Sequence, residues 1–155
     1  MRFFDTAVRF YPNLNPRAVV TVNRQEIGTL LPFFGQYRVH RPDARGQMPP
    51  NARFVFVTDM QGAILMHPRY RHPVLANGQP VRYAGEAQFR HGRLQWWSNG
   101  SGNYRPDARD AVQAGLPMSN FVTHEQVRAR SKEVRALESL ARPAGAARQQ
   151  NAGRL

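Results

Sequence analysis

Apolar residues fall into short runs broken by glycine, proline and asparagine, and only one stretch, near the C-terminus, has helical spacing. That spacing predicts hairpins rather than long helices. Residues 18–22 (Ala-Val-Val-Thr-Val) are β-branched and predict a strand. Residues 25–34 are apolar around Pro32 and fit either a short helix or a second strand, and 40–51, with three prolines, predict a surface loop. The clearest hairpin is 53–58 returning over 63–66. Asp59 and Gly62 supply its turn, and its first strand is apolar on both faces, as a central strand is. Residues 67–80 are irregular. A second hairpin runs over 81–90 and 93–98 around His91-Gly92, followed by a glycine-rich turn at 99–103. Asp107 predicts the N-cap of a short helix that stops at Gly115. A longer helix starts near Thr123 with a narrow stripe of Val127, Val134, Leu137 and Ala141. The pattern predicts an α+β fold: a small antiparallel sheet built of hairpins, with a C-terminal helical segment. One basic domain is expected over 1–142 and a flexible basic tail over 143–155.

Charge changes the picture more than size does. The chain has 155 residues, enough for one domain with a real core. It carries 22 basic against 10 acidic residues, a net charge of +12, and all the bases but Lys132 are arginine. Nucleic acid or another polyanion is therefore the expected partner. Arginine enrichment from a GC-rich genome is the plainer source of the same charge. The chain has no cysteine, so disulfides, thiolate metal sites and cysteine nucleophiles are excluded. No apolar run is long enough for a membrane span. The first residues lack the apolar region of a signal peptide, so the expected location is the cytoplasm, or a target cell after delivery.

No strong catalytic motif is present. Gly100, Ser101 and Gly102 match neither a P-loop nor a nucleophile elbow, and no metal site is expected. Glu86 stands inside a predicted strand, with His72 and Arg71 ahead of it and His91, Arg93, Tyr104 and Arg105 behind. A carboxylate and a histidine as base and acid, with arginines on the phosphate, are what metal-free RNA transesterification requires. Glu86, His72 and His91 are thus the candidate catalytic residues. Arg71, Arg93, Tyr104, Arg105 and Trp97 are the candidate substrate contacts. The plainer alternatives are an ion pair for Glu86 and ordinary loop positions for the histidines. Trp96 and Trp97 are consecutive in a strand and point to opposite faces, one to the core and one free to stack on a base.

The chain also resembles C-terminal domains of bacterial secreted effectors and polymorphic toxins. The resemblance rests on Phe3-Phe4-Asp5-Thr6, on Phe54-Val55-x-Val57-x-Asp59-x-x-Gly62-x-Ile64, and on His72-x-x-Leu75-Ala76-x-Gly78-x-Pro80-Val81-x-x-Ala84-Gly85-Glu86. Gly92-x-Leu94 and Ser98-Asn99-x-Ser101-Gly102-x-Tyr104-x-Pro106 complete it. About two thirds of the chain is covered by turn-rich motifs of moderate specificity. The resemblance implies an effector or toxin-like domain in stand-alone form, for which a cognate immunity protein is a possible partner. Where similar sequences have a histidine before Tyr104, this chain has Asn103. If that histidine is the catalytic acid, the chain is weakened or inactive; if it only shapes the turn, asparagine is an acceptable substitute.

Three readings stay open. One is a metal-free RNA-cleaving toxin, with Glu86 as base and no cofactor. One is an ADP-ribosyltransferase toxin using NAD, with Glu86 at the edge of a deep cleft and His72 beside Tyr83 or Tyr104 on the nicotinamide side. The third is a non-catalytic nucleic-acid-binding or virion-type structural module.

Overall fold

The computed structural model describes residues 7–141. They form two compact units divided between Thr123 and His124, which the sequence reading joins into one domain up to 142. The expected tail at 143–155, like the Phe3–Thr6 motif, lies outside the described residues.

The first unit is built on one seven-stranded sheet. Its strands are β1 (Gly28–Phe33), β2 (Gln36–His40), β3 (Gln47–Met48), β4 (Arg53–Thr58), β5 (Ile64–His67), β6 (Tyr83–Arg90) and β7 (Arg93–Trp97). Their order is β3-β2-β1-β5-β4-β6-β7 and every pairing between strands is antiparallel. The expected antiparallel α+β class is what the chain adopts, and β4 is central, as its two apolar faces predict.

Turn chemistry sets the hairpins. Phe34 and Gly35 join β1 to β2 with φ of 48° and 75°, and His91 and Gly92 join β6 to β7 with 50° and 84°. Two successive positive φ values mark the type I′ turn, whose twist matches that of the strands. Asp59 closes β4 onto β5 by accepting from the amides of Gln61 and Ala63.

The sheet curls until its far parts meet. The Tyr37 amide of β2 donates to the Gly92 carbonyl at 2.8 Å, and the Tyr37 ring stands edge-on to Phe89 at 5.7 Å. The inner face buries Leu30, Val39, Met66, Phe56, Tyr83, Ala87, Phe89 and Trp97. Residues 98–121 cap one end of it. Thr58 donates to the Ala114 carbonyl, Tyr83 to that of Asp107, and the Trp97 indole to that of Pro117. Each buried polar group thereby finds a partner. Gly85 is required where this cap crosses the sheet, because a Cβ there would lie 1.7 Å from the Ser98 carbonyl oxygen.

Four expectations change. The loop expected at 40–51 holds the short strand β3, paired to Val39 and His40. Residues 18–22 form no strand, since Pro16–Ala18 is a 3₁₀ turn and no neighbouring strand offers them a ladder; β-branching without a partner does not make a strand. Residues 67–80 hold a helical turn, α1 (His72–Leu75), begun by a proline in its first turn. The segment from Asp107 to Gly115 has the expected cap and stop, yet winds as a 3₁₀ helix over Ala108–Ala114.

The second unit contains α2 (His124–Leu140), with Glu125 in its first turn and no buried residue. No described helix is long and apolar enough to cross a membrane.

Candidate functional site

Strand pairing fixes which side chains share a face. On the outer face Arg53, Val55 and Val57 of β4 lie opposite Gln88, Glu86 and Ala84 of β6. Trp96 pairs with Gln88, and Arg93 with Arg90. Between those two pairs Gln95 is an extra residue, a bulge that resets the alternation. Leu94 therefore faces inward opposite Phe89, while Trp96, two residues on, faces outward.

The outer face is buried at Val57 and Ala84, and its open end, toward Arg53 and Arg93, is basic and aromatic. The Arg53 guanidinium lies 4.8 Å from the centre of the half-buried Trp96 ring, within cation–π range. Arg90 and Arg93 are exposed beside it. Ion pairs among the described residues join Arg9 to Asp110, Arg41 to Asp43 and Arg109 to Asp107. None involves Arg53, Arg90 or Arg93. Most of the acids are committed elsewhere: Glu26 accepts from Tyr70, Asp110 accepts from Tyr11, and Asp59 holds its turn. Glu86 is the lone acid among these outward residues, half-buried, with no ion pair among the described residues. The ion pair that would explain a strand glutamate is thus absent among the described residues.

The structure disperses the other expected site residues. His72 is 7% exposed and its Nε2 lies 2.8 Å from the Gly85 carbonyl. A carbonyl only accepts, so Nε2 carries the proton and Nδ1 does not. Burial lowers its pKa to about 4, partly opposed by that hydrogen bond. At neutral pH it is an uncharged strut, which corrects its assignment as an acid. His91 sits in the β6–β7 turn, five residues from Glu86, or about 16 Å along the strand. One phosphodiester cannot reach both. Glu86 and His91 are therefore not an acid–base pair.

Trp97 is fully buried, edge-on to Phe56 and Tyr83, and offers no face for stacking. The stacking tryptophan is its neighbour Trp96. Tyr104 is 2% exposed and donates to the Gln79 carbonyl at 2.7 Å. Burial pushes its pKa up to about 12, so it holds the cap of the sheet and contacts no substrate. Asn103 accepts from the Asn15 side chain. Arg71 is exposed at the start of α1, and Arg105 donates to Gly102 from a left-handed backbone, φ 47°. Of the expected contacts, Arg93 alone lies on the basic outer face.

His67 is a buried histidine on the outward register opposite Val55. Its Nδ1 accepts the amides of Arg69 and Tyr70, and its ring stacks on Tyr70 at 3.6 Å. Burial, and next the charge of Arg69, lower its pKa. It too serves the backbone. No three His, Asp or Glu side chains among the described residues are grouped to hold a metal ion. A cavity of about 250 Å³ opens on the inner side, among Gly28, Val39, Met48, Phe54 and Met66. Glu86 does not line it, so the cleft that the transferase reading places beside Glu86 is not this one.

No protein-family model, curated protein or solved structure matches the chain. The site geometry therefore carries the functional reading.

Proposed function

We propose that this chain is a basic, non-catalytic module that binds a single-stranded nucleic acid on the outer face of its sheet. The observation that carries the reading is Arg53 stacked on Trp96 beside the unpaired Arg90 and Arg93. A base has an aromatic and guanidinium platform on which to stack, and the phosphates have the flanking arginines. The net charge of +12 supplies attraction at longer range. RNA in a cell that receives an effector is one such strand, which keeps the resemblance to effector domains compatible with the reading. Acid–base catalysis is left out of it because His72 is neutral and committed, and His91 is remote from Glu86.

The test is fluorescence anisotropy with a labelled single-stranded RNA across a salt series. Trp96→Ala is expected to weaken binding by about 1–3 kcal/mol, the value of one stacked base. Arg90→Ala and Arg93→Ala should each reduce the slope of log K against log salt by about 0.7. Glu86→Gln should bind at least as tightly as the wild type. RNA cleaved by the wild type and spared by Glu86→Gln would replace the binding reading with the nuclease reading.

A further inference from the structure

The β1–β2 turn places a large aromatic side chain where few side chains go. Phe34 adopts φ 48°, a left-handed conformation that disfavours bulky residues and favours glycine, asparagine and aspartate. It gains no burial in return, being 92% exposed, and its ring touches that of Phe33 at 4.9 Å. Phe33 is itself 38% exposed. Both local strain and hydrophobic exposure oppose this residue in the isolated chain, and such outliers concentrate where a protein meets something else.

The surroundings state the charge of the partner. The Arg38 guanidinium lies 4.3 Å from the centre of the Phe33 ring, a cation directly behind the aromatic tip. The curl of the sheet then brings in the second type I′ turn. Gly92 accepts from the Tyr37 amide, and a Cβ at Gly92 would lie 3.3 Å from Gln36 Oε1. Arg90, His91 and Arg93, all exposed, therefore stand beside the tip. No acid lies among residues 30–40 or 87–95. A projecting apolar point backed by Arg38 and flanked by a basic turn matches a surface that is anionic outside and apolar a few ångströms deeper.

We propose that the paired hairpin tips dock on an anionic phospholipid bilayer, with Phe34 and Phe33 entering the headgroup–acyl boundary and Arg38, Arg90 and Arg93 on lipid phosphates. Interfacial segments insert to a depth of roughly 5–10 Å, within reach of one hairpin tip, and arginines behind an apolar point snorkel to the phosphate layer. The bilayer site shares Arg90 and Arg93 with the nucleic-acid site and differs from it in Phe34, Phe33 and Arg38, with Phe34 in the β1–β2 turn and Trp96 on β7.

The test is co-sedimentation of the full chain with vesicles of phosphatidylcholine, with or without phosphatidylglycerol. The wild type is expected on the anionic vesicles and absent from the neutral ones. Phe34→Asn suits the turn and removes the aromatic ring. Its melting temperature should hold or rise while partitioning falls roughly ten- to a hundredfold, the equivalent of withdrawing one apolar side chain from burial. Wild-type protein that ignores anionic vesicles, or binds neutral ones equally well, overturns the proposal. So does Phe34→Asn protein that partitions like the wild type. If Phe34→Asn instead weakens RNA binding and spares vesicles, the tip belongs to the nucleic-acid face and the bilayer proposal fails. Loss of RNA binding in Trp96→Ala with vesicle binding intact separates the two readings.

Discussion

At pH 7 the His72 imidazole is neutral, because burial holds its pKa near 4 while the unfolded chain leaves it near 6.5. The unfolded state therefore takes up the proton first as pH falls. The stability that the neutral ring contributes is complete above pH 6.5 and is lost as pH falls toward 4, up to about 3 kcal/mol. Urea unfolding at a series of pH values should show that slope, and His72→Gln should flatten it. Gly85 is the second residue with a sharp expectation. Gly85→Ala forces a methyl group onto the Ser98 carbonyl backbone, and should destabilise the fold by more than about 4 kcal/mol in the same assay. Neither the strut role of His72 nor the need for glycine at 85 is legible in the sequence, where His72 reads as a candidate acid. Their contact depends on a segment thirteen residues away folding over the strand, which no local pattern encodes. The choice between Trp96 and Trp97 fails for a related reason. Alternation says that they part, but the bulge at Gln95 and the cap over the inner face decide which one is buried.

Among the elements, the two hairpins at β4–β5 and β6–β7 were legible because their turns carry residues of specific chemistry, Asp59 with Gly62 and His91 with Gly92. The 3₁₀ segment was legible at its ends, where Asp107 accepts from the Arg109 amide and Gly115 takes a left-handed φ of 78°. Its winding was not, since caps do not distinguish the two helix types. Residues 18–22 show the converse, strand composition without a neighbour to pair with. α1 escaped notice because a histidine and proline at a helix start look like one more piece of a proline-rich loop. The β1–β2 turn carries its own prediction. Asparagine accepts a left-handed backbone that phenylalanine resists, so Phe34→Asn should raise unfolding stability by about 1 kcal/mol. A melting curve or a urea midpoint checks it, and a fall would mean that Phe34 packs against something in the free protein.

For the whole molecule, electrostatics dominates any encounter. Arginines spread along the chain and the scarcity of acids on the outer face give a field that salt screens within about 8 Å at physiological strength. Complexes with single-stranded RNA should therefore weaken steeply between 50 and 200 mM salt. The Trp96→Ala deficit should persist in proportion, because stacking is not screened. An anisotropy titration at two salt concentrations separates the two contributions. A charge of +12 is legible from composition alone. Where the charge gathers was not legible, because Arg53 of β4 meets Trp96 beside Arg90 and Arg93 through the register of the sheet and not through their order in the chain.

The carbonyl of Ser98 over Gly85 also bears on substitution. Within the Ala84-Gly85-Glu86 and Ser98-Asn99 motifs, Gly85 and Ser98 are matched by backbone clearance. Nearby, Tyr104 answers to the Gln79 carbonyl and Ser101 to the Tyr104 amide. The fold therefore demands these residues of the chain whatever it binds, and a substitution at any of them is felt first as lost folding and only through that as lost binding.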